Sequence, residues 1–354
     1  VTLSDSILAY SAGMLALVAL SSWLLARRPS WLRFLVLGAV LAVAAIVGAR
    51  YIAPGPEVFR ALHLLAYGVF GAGPIYLLAA AWIARQALPR LVAASLAGVA
   101  LIALVGIDAF WIEPYWLEIT RHEIVTDKID QPLRIAVVAD FQTDHFAQYQ
   151  RDSLRAVMDA KPDLILMPGD YIQGARIPWD ELRDQFNAFL HEIDFGAPLG
   201  VVAVQGNTDA PKWPSIFAGL PVHTIIDNET VPLGPVTVTG LHEWQGFQDD
   251  TVVEPRPGFH IVVAHSPNFA LGDIAADLLV AGHVHGGQVR IPFFGPPITF
   301  TSVPRDWAVG FTSLPGNRTL AVSRGVGMER HEAPRLRFLC RPELMLIDLV
   351  PAKP

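Results

Sequence analysis

The first 112 residues do not alternate apolar and polar positions as a soluble domain does. Four apolar runs, Ile7–Ala26, Phe34–Ala49, Ala61–Ala84 and Leu91–Ile107, are separated by short charged hinges. Two of them reach the ~20 residues that cross a bilayer as helix. The other two borrow apolar flanks, Trp31-Leu32 before the second and Ala109–Ile112 after the fourth. A buried helical core needs polar faces at helical period, and these runs have almost none. The pattern predicts a four-helix transmembrane region over residues 1–112. A cleavable signal peptide would explain one such run, not four. His63 lies near the end of the third run and reads as an interfacial or packed histidine. Paired intramembrane charges, the mark of a transport pathway, are missing from the runs.

Phe110, Trp111, Tyr115 and Trp116 follow, aromatics suited to the headgroup level. Residues 113–133 read as a juxtamembrane linker with a lead-in strand. Beyond them the pattern becomes short Val-, Ile- and Leu-rich runs ending in glycine or polar turns. Strands are expected at 134–139, 164–167, 200–204, 236–241, 260–264, 278–281, 319–323 and 344–349. Helices are expected at 150–160 and 179–192. Such alternation predicts an α/β domain of packed sheets covered by helices over residues 134–354.

Composition agrees with this split. The 354-residue chain is 52% hydrophobic and only 17% charged, where a soluble domain is nearer ~25% charged. Residues 1–112 hold seven arginines and three acids, a net of +4, so the remainder carries -11 of the total -7. An acidic second region argues against a nucleic-acid partner. One cysteine, Cys340, excludes an internal disulfide and a cysteine metal cluster. Arginines also set an orientation. The first and third hinges hold Arg27, Arg28, Arg33, Arg85 and Arg90, against Arg50 and Arg60 on the other side. The positive-inside rule then places the second region outside, on the periplasmic face of a bacterial inner membrane. Arg27-Arg28 also resembles a twin-arginine signal, but an apolar run already precedes the pair.

Candidate chemistry sits just after strand ends. Asp140-Phe-Gln142, Gly169-Asp170, Gly206-Asn207-Thr208-Asp209, His265-Ser-Pro and Gly282-His283-Val-His285 each follow an apolar run. That edge is where open α/β sheets bind ligands. Carboxylates, amides and imidazoles without thiolate suit Mn, Fe, Zn or Mg. The paired histidines, two residues apart, share a face if extended and could reach adjacent metals.

In this order the five blocks resemble the signature of the calcineurin-like metallophosphoesterases, over about residues 120–350. The stretch from Ala281 to Gly295, together with Val322-Ser-Arg-Gly-Val-Gly and Arg341-Pro-Glu-Leu, is similar to the membrane-attached bacterial branch. The resemblance implies two stacked mixed β-sheets flanked by helices and a two-metal site between the sheets. It implies one cation on Asp140, Gln142, Asp170 and His285, and another on Asp170, Asn207, His265 and His283. The nucleophile it implies is a hydroxide shared by the cations, which also clamp phosphate oxygens. Asp140, Asp170, Asn207 and His265 are then the catalytic core. The expected activity is cleavage of a phosphodiester, pyrophosphate or phosphomonoester, on a substrate linked to membrane lipid. The alternative is a degenerate esterase domain serving as a metal- or phosphate-binding regulatory module.

Two positions depart from the family. Gln142 stands where histidine is usual, a harder donor that favours Mn or Fe over Zn. Asp144 or His145 could supply that ligand instead. Thr208 stands where many relatives carry a histidine thought to protonate the leaving group. Thr208 can donate a hydrogen bond but is no general acid, which inclines the chemistry toward pyrophosphate or diester cleavage. Asn207, Thr208, Asp209 and Arg324 are the candidate substrate contacts. Asp209 could equally cap its turn, and Arg324 could equally brace a loop. His242-Glu243-Trp244 either lines the cleft or forms a surface loop, and 291–300 is an apolar loop that touches lipid or covers the core.

Overall fold

A computed structural model describes residues 2–55, 57–174 and 176–352. It divides into two compact units, Val1–Trp111 with His331–Arg335, and Ile112–Arg330 with Leu336–Pro354.

The first unit contains four helices long and apolar enough to cross a membrane: α1 (Leu3–Arg27), α2 (Trp31–Ile52), α3 (Val58–Ala84) and α4 (Pro89–Tyr115). Each helix extends beyond its expected apolar run, and at the first two, flanking polar residues supply caps that apolar counting misses. Ser30, for instance, accepts the Arg33 amide at the start of α2. Both α3 and α4 pass through a π turn, Gly68–Ala72 and Asp108–Ile112. Inside the unit, Tyr10, Met14, Leu41, Leu64 and Tyr76 pack together. The Tyr10 and Tyr76 hydroxyls donate to the carbonyls of Ala45 and Phe34. The outer faces stay apolar and uncovered: Leu8 is 72% exposed and Leu101 62%. In water such surface would be buried; in hydrocarbon it is solvated. Arg27 and Arg85 lie over the rings of Trp23 and Trp82. The segment His331–Arg335, read from the pattern as part of the α/β region, belongs instead to this unit. Arg60 donates to Glu332 at 3.0 Å, and the His63 ring meets the Glu332 carbonyl at 2.9 Å.

The second unit stacks two six-stranded mixed sheets. The first runs β1-β14-β2-β3-β4-β5, with β1 (Glu118–Thr126), β2 (Leu133–Val137), β3 (Leu164–Met167), β4 (Val201–Val204), β5 (Val222–Ile225) and β14 (Glu343–Pro351). The second runs β12-β13-β11-β9-β7-β6, with β6 (Glu229–Leu233), β7 (Val236–Gly240), β9 (Phe259–Val263), β11 (Leu278–Ala281), β12 (Gly310–Leu314) and β13 (Arg318–Val322). A two-residue ladder joins β8 (Val252–Val253) to β10 (Asp273–Ile274). Period two assigns the faces. Ile135 and Val137 of β2 point between the sheets, with Val238, Ile261 and Val280. Ala136 and Val138 point the other way, toward Leu154 and Val157 of α5 (Gln148–Asp159) and Leu182 and Phe186 of α6 (Trp179–Glu192).

The interior strands were legible because both their faces are buried, which makes them unbroken apolar runs. Strands β5, β6 and β12 were not. They lie at the sheet edges or carry Thr, His and Glu on a wet face, so their apolar period is diluted.

Candidate active site

Strands β2, β3 and β4 of one sheet and β9 and β11 of the other end at a common edge. Their connecting turns carry every donor that sequence reasoning singled out. Asp140, Gln142, Asp170, His283 and His285 all have φ between +34° and +68°. Such backbone is uncommon for side-chain-bearing residues and concentrates at functional sites. The strain is held by a lattice of main-chain hydrogen bonds. The amides of Asp140 and Gln142 donate to the carbonyls of Gly169 and Asp170, and the Gly327 amide donates to the Asp140 carbonyl. Close approach does the rest: a Cβ at Gly206 would lie 2.1 Å from Asp170 Oδ1, and one at Gly282 would lie 2.8 Å from Asp140 Oδ2. Glycine alone fits at these two places.

Donor atoms of Asp140, Asp170 and His265 come within 4.8 Å of one another, all buried. Asp140 Oδ1 accepts the His283 amide at 2.9 Å, while Oδ2 has no partner. The Gln142 amide nitrogen donates to Asp170 Oδ2 at 2.9 Å, which leaves its Oε1 buried and bare. His285 Nε2 is likewise buried without a partner. Asp170 Oδ1 accepts the Thr208 amide at 2.9 Å. His265 Nδ1 donates to the Pro168 carbonyl at 2.8 Å, so Nε2 carries a lone pair. That lone pair faces the Asn207 Oδ1 at 2.8 Å and Asp170 Oδ2 at 3.5 Å. Two acceptors face each other with no proton between them.

Protonation tells the same story. Burial pushes Asp140 well above the usual carboxylate range, and the Asp170 charge adds to it. Burial also raises Asp170. Two adjacent carboxylates in a dry site cannot both ionise without a counter-charge. Burial lowers His265 and His283 to about 4, and burial with the neighbouring Arg337 charge holds His285 well below its ordinary value. The rings are therefore neutral, the form that coordinates metal. Orphaned oxygens, a bare imidazole nitrogen and an acceptor pair are the donor chemistry of a divalent cation site, and the residues present fit that group.

Among the three candidates for the position where histidine is usual, Gln142 offers the bare buried donor. Asp144 is held instead by Arg176 at 2.7 Å and Arg330 at 3.5 Å, and the His145 ring leans on it at 2.7 Å.

Two of the candidate substrate contacts make their bonds within the fold. Asp209 points into the protein and accepts the amides of Asp170, Tyr171 and Gly206, each at 2.8 Å. It braces the Asp170 turn, and burial followed by the Asp170 charge pushes it up to about 8. Arg324 is a loop brace: it donates to Glu118 at 2.8 Å and Glu343 at 3.2 Å. Thr208 remains beside the site through its amide, and Asn207 is the exposed member of the set. His242 caps a short turn by accepting the Trp244 amide.

Four residues escaped the sequence reading. Glu329 accepts from Gln173 at 2.5 Å and from Gln142 at 3.4 Å. The Phe247 ring meets the His283 ring edge-on at 4.8 Å. Arg330 donates to the Gln142 carbonyl at 2.8 Å, and Arg337 threads the loop behind His285. No local motif marks any of them, since each acts on a turn distant in sequence.

Two stacked mixed sheets whose strand-end turns converge on Asp, Asn, Gln and His donors are the arrangement that the sequence resemblance to the calcineurin-like metallophosphoesterases implies. Residues 133–287 match the family model for calcineurin-like phosphoesterase. The chain is similar to phosphodiesterase YaeI of Escherichia coli, with 28% identity over 68% of this chain and 91% of that one. It is similar to the uncharacterized metallophosphoesterase YkuE of Bacillus subtilis, with 29% identity over 68% and 88%. It is also similar to UDP-2,3-diacylglucosamine pyrophosphatase LpxG of Chlamydia trachomatis, with 24% identity over 61% and 83%.

Proposed function

We propose that this protein is a membrane-anchored phosphohydrolase that uses two divalent cations to cleave a diester or pyrophosphate bond in a lipid-linked substrate. Asp140, Gln142, Asp170 and His285 would hold one cation, and Asp170, Asn207, His265 and His283 the other. The observation that carries this reading is the row of bare donors, Asp140 Oδ2, Gln142 Oε1 and His285 Nε2, beside the facing acceptors of His265 and Asn207. Bound divalent cations supply an acidified water and charge neutralisation at phosphoryl oxygens.

The chain's own residues do the positioning. Pro168 fixes the His265 tautomer, His283 and Thr208 amides fix the two carboxylates, and Gln142 turns its oxygen inward by donating to Asp170. Exposed Asn207 marks the side from which substrate enters. With Thr208 in place of a proton donor, a leaving group that is itself a phosphate suits the site. Names such as phosphodiesterase and diacylglucosamine pyrophosphatase among the relatives support this class of bond and of substrate. The Gln142 oxygen favours Mn or Fe. Arginine asymmetry between the hinges favours a catalytic unit on the periplasmic side of an inner membrane, which reporter fusions after α4 would check.

The test is metal content and hydrolysis together. The purified full chain should hold two Mn per molecule and hydrolyse bis(p-nitrophenyl) phosphate; Asp170→Ala should lose both properties. Equal inactivity of the two proteins across several metals and substrates, with none or one ion held by the wild type, would make the domain a binding module instead.

A further inference from the structure

Outside the metal-facing turns, the second unit carries a groove of about 660 Å³ lined by Ile291, Phe294, Val309 and Leu339, with Arg290 and Arg305. Its size is that of a small-molecule site. Its lining is unusual for surface facing water. Ile291, Phe294 and Leu339 are each about half exposed, and Phe293 at the rim of the same loop is wholly exposed. A contiguous apolar patch of this kind marks a binding surface.

Charge narrows the occupant. The region after residue 112 carries -11, yet two arginines converge on the groove, against one acid, Asp306. Arg305 stacks on the Phe294 ring at 4.2 Å. Neither arginine makes an ion pair among the described residues. A groove with half-exposed apolar side chains beside two guanidiniums without ion partners among the described residues fits an amphiphile with an anionic head.

Chain continuity ties the groove to the candidate metal centre. The loop starts six residues after His285, and it returns at Phe300, whose backbone hydrogen-bonds the His283 ring.

We propose that this groove binds the acyl chain of a phosphorylated lipid substrate, with Arg290 and Arg305 meeting its anionic head. The proposal rests on the phosphohydrolase reading and adds the substrate's class and its place on the protein. A concave trough suits a single chain, whereas docking on a bilayer asks only for protruding residues.

The test uses the full chain in detergent with Mn. Wild-type kcat/KM should rise at least tenfold along a series of phosphodiesters from a four-carbon to a fourteen-carbon acyl chain. Two variants, Phe293→Ser and the double change Ile291→Ser with Leu339→Ser, should flatten that rise to less than threefold. The first alters a side chain with no packing role, so misfolding does not confuse it. In parallel, phosphatidic acid bearing a photoreactive acyl chain should label the peptide 290–300, in wild type and in Asp170→Ala alike. A flat series in wild type, or labelling confined to other segments, overturns the groove. So does an unaltered rise in both variants, which would leave the loop only a bilayer contact. Absence of hydrolysis on every substrate, with labelling of 290–300 intact, would instead sink the phosphohydrolase reading and leave the groove standing.

Discussion

Arg337 provides the most demanding test of how the site is held. Its guanidinium is fully buried. It donates to the carbonyls of Gly327 and Cys340 at 3.0 Å, Arg324 at 2.7 Å and Gly325 at 3.3 Å. Arg337→Met keeps much of the stem's volume and strips the Gly327, Cys340 and Arg324 carbonyls of their donor, while the Gly325 carbonyl keeps the Glu343 amide. A buried polar group left unpaired costs about 1–3 kcal/mol. Removing the guanidinium also removes its own desolvation cost, which offsets part of the loss. A net of about 3 kcal/mol remains. At about 2–4 °C per kcal/mol for a unit of this size, the melting temperature should fall by about 6–12 °C. Tryptophan fluorescence of the detergent-purified chain reads this directly, since Trp213 lies in the α/β core. Metal affinity is the second readout. The loop Arg337 braces donates the Val326 and Gly327 amides to Ala139 and Asp140, so Mn binding should weaken by about tenfold. Arg337→Lys, with one donor group, should recover only part of each effect. A melting shift below about 2 °C for Arg337→Met would refute the reasoning, because the three carbonyls left without Arg337 would then have other partners.

Three further outcomes are expected. Gln142→His replaces an amide oxygen by imidazole, so Zn affinity measured by competition should rise about tenfold relative to Mn; an unchanged ratio would remove Gln142 from the donor set. Asp209→Asn leaves one of three amides facing an NH₂ group. At pH 8.5 it should cost about 2 kcal/mol in thermal unfolding, and a neutral effect would return Asp209 to the substrate side. His260 is lowered by burial and bonds Thr239 and the Ala275 carbonyl, so the fold resists its protonation. Its contribution is full above the unfolded value near 6.5 and declines as pH falls through that value toward the lowered folded one. The melting gap between wild type and His260→Gln should therefore be wide at pH 8 and narrower at pH 5, and a gap that widens in acid would contradict this.

Much of the molecule was readable in advance. Period and length located the four apolar helices, since a bilayer demands unbroken hydrophobic runs. Both-face burial exposed β2, β3, β4, β9 and β11, and the donors fell at their ends because a turn follows each. What stayed hidden was whatever depends on a distant partner. Arg324 carries the right charge to meet phosphate and Asp209 lies in the Gly-Asn-Thr-Asp turn, and only the fold shows them bonded to glutamates and to backbone amides.

By itself, then, the chain's order of residues determined the two-part division, the stacked α/β character and the list of metal-competent donors. Those properties follow from local rules of hydrophobic period and strand-end turns. Tertiary structure alone decided that the Gln142 Oε1 is left bare, which ring nitrogen His265 turns to Asn207, and that a groove with two arginines opens in the same unit. A hydrogen bond's direction and a groove's shape are set by groups brought together across tens of residues, and no local pattern encodes that meeting.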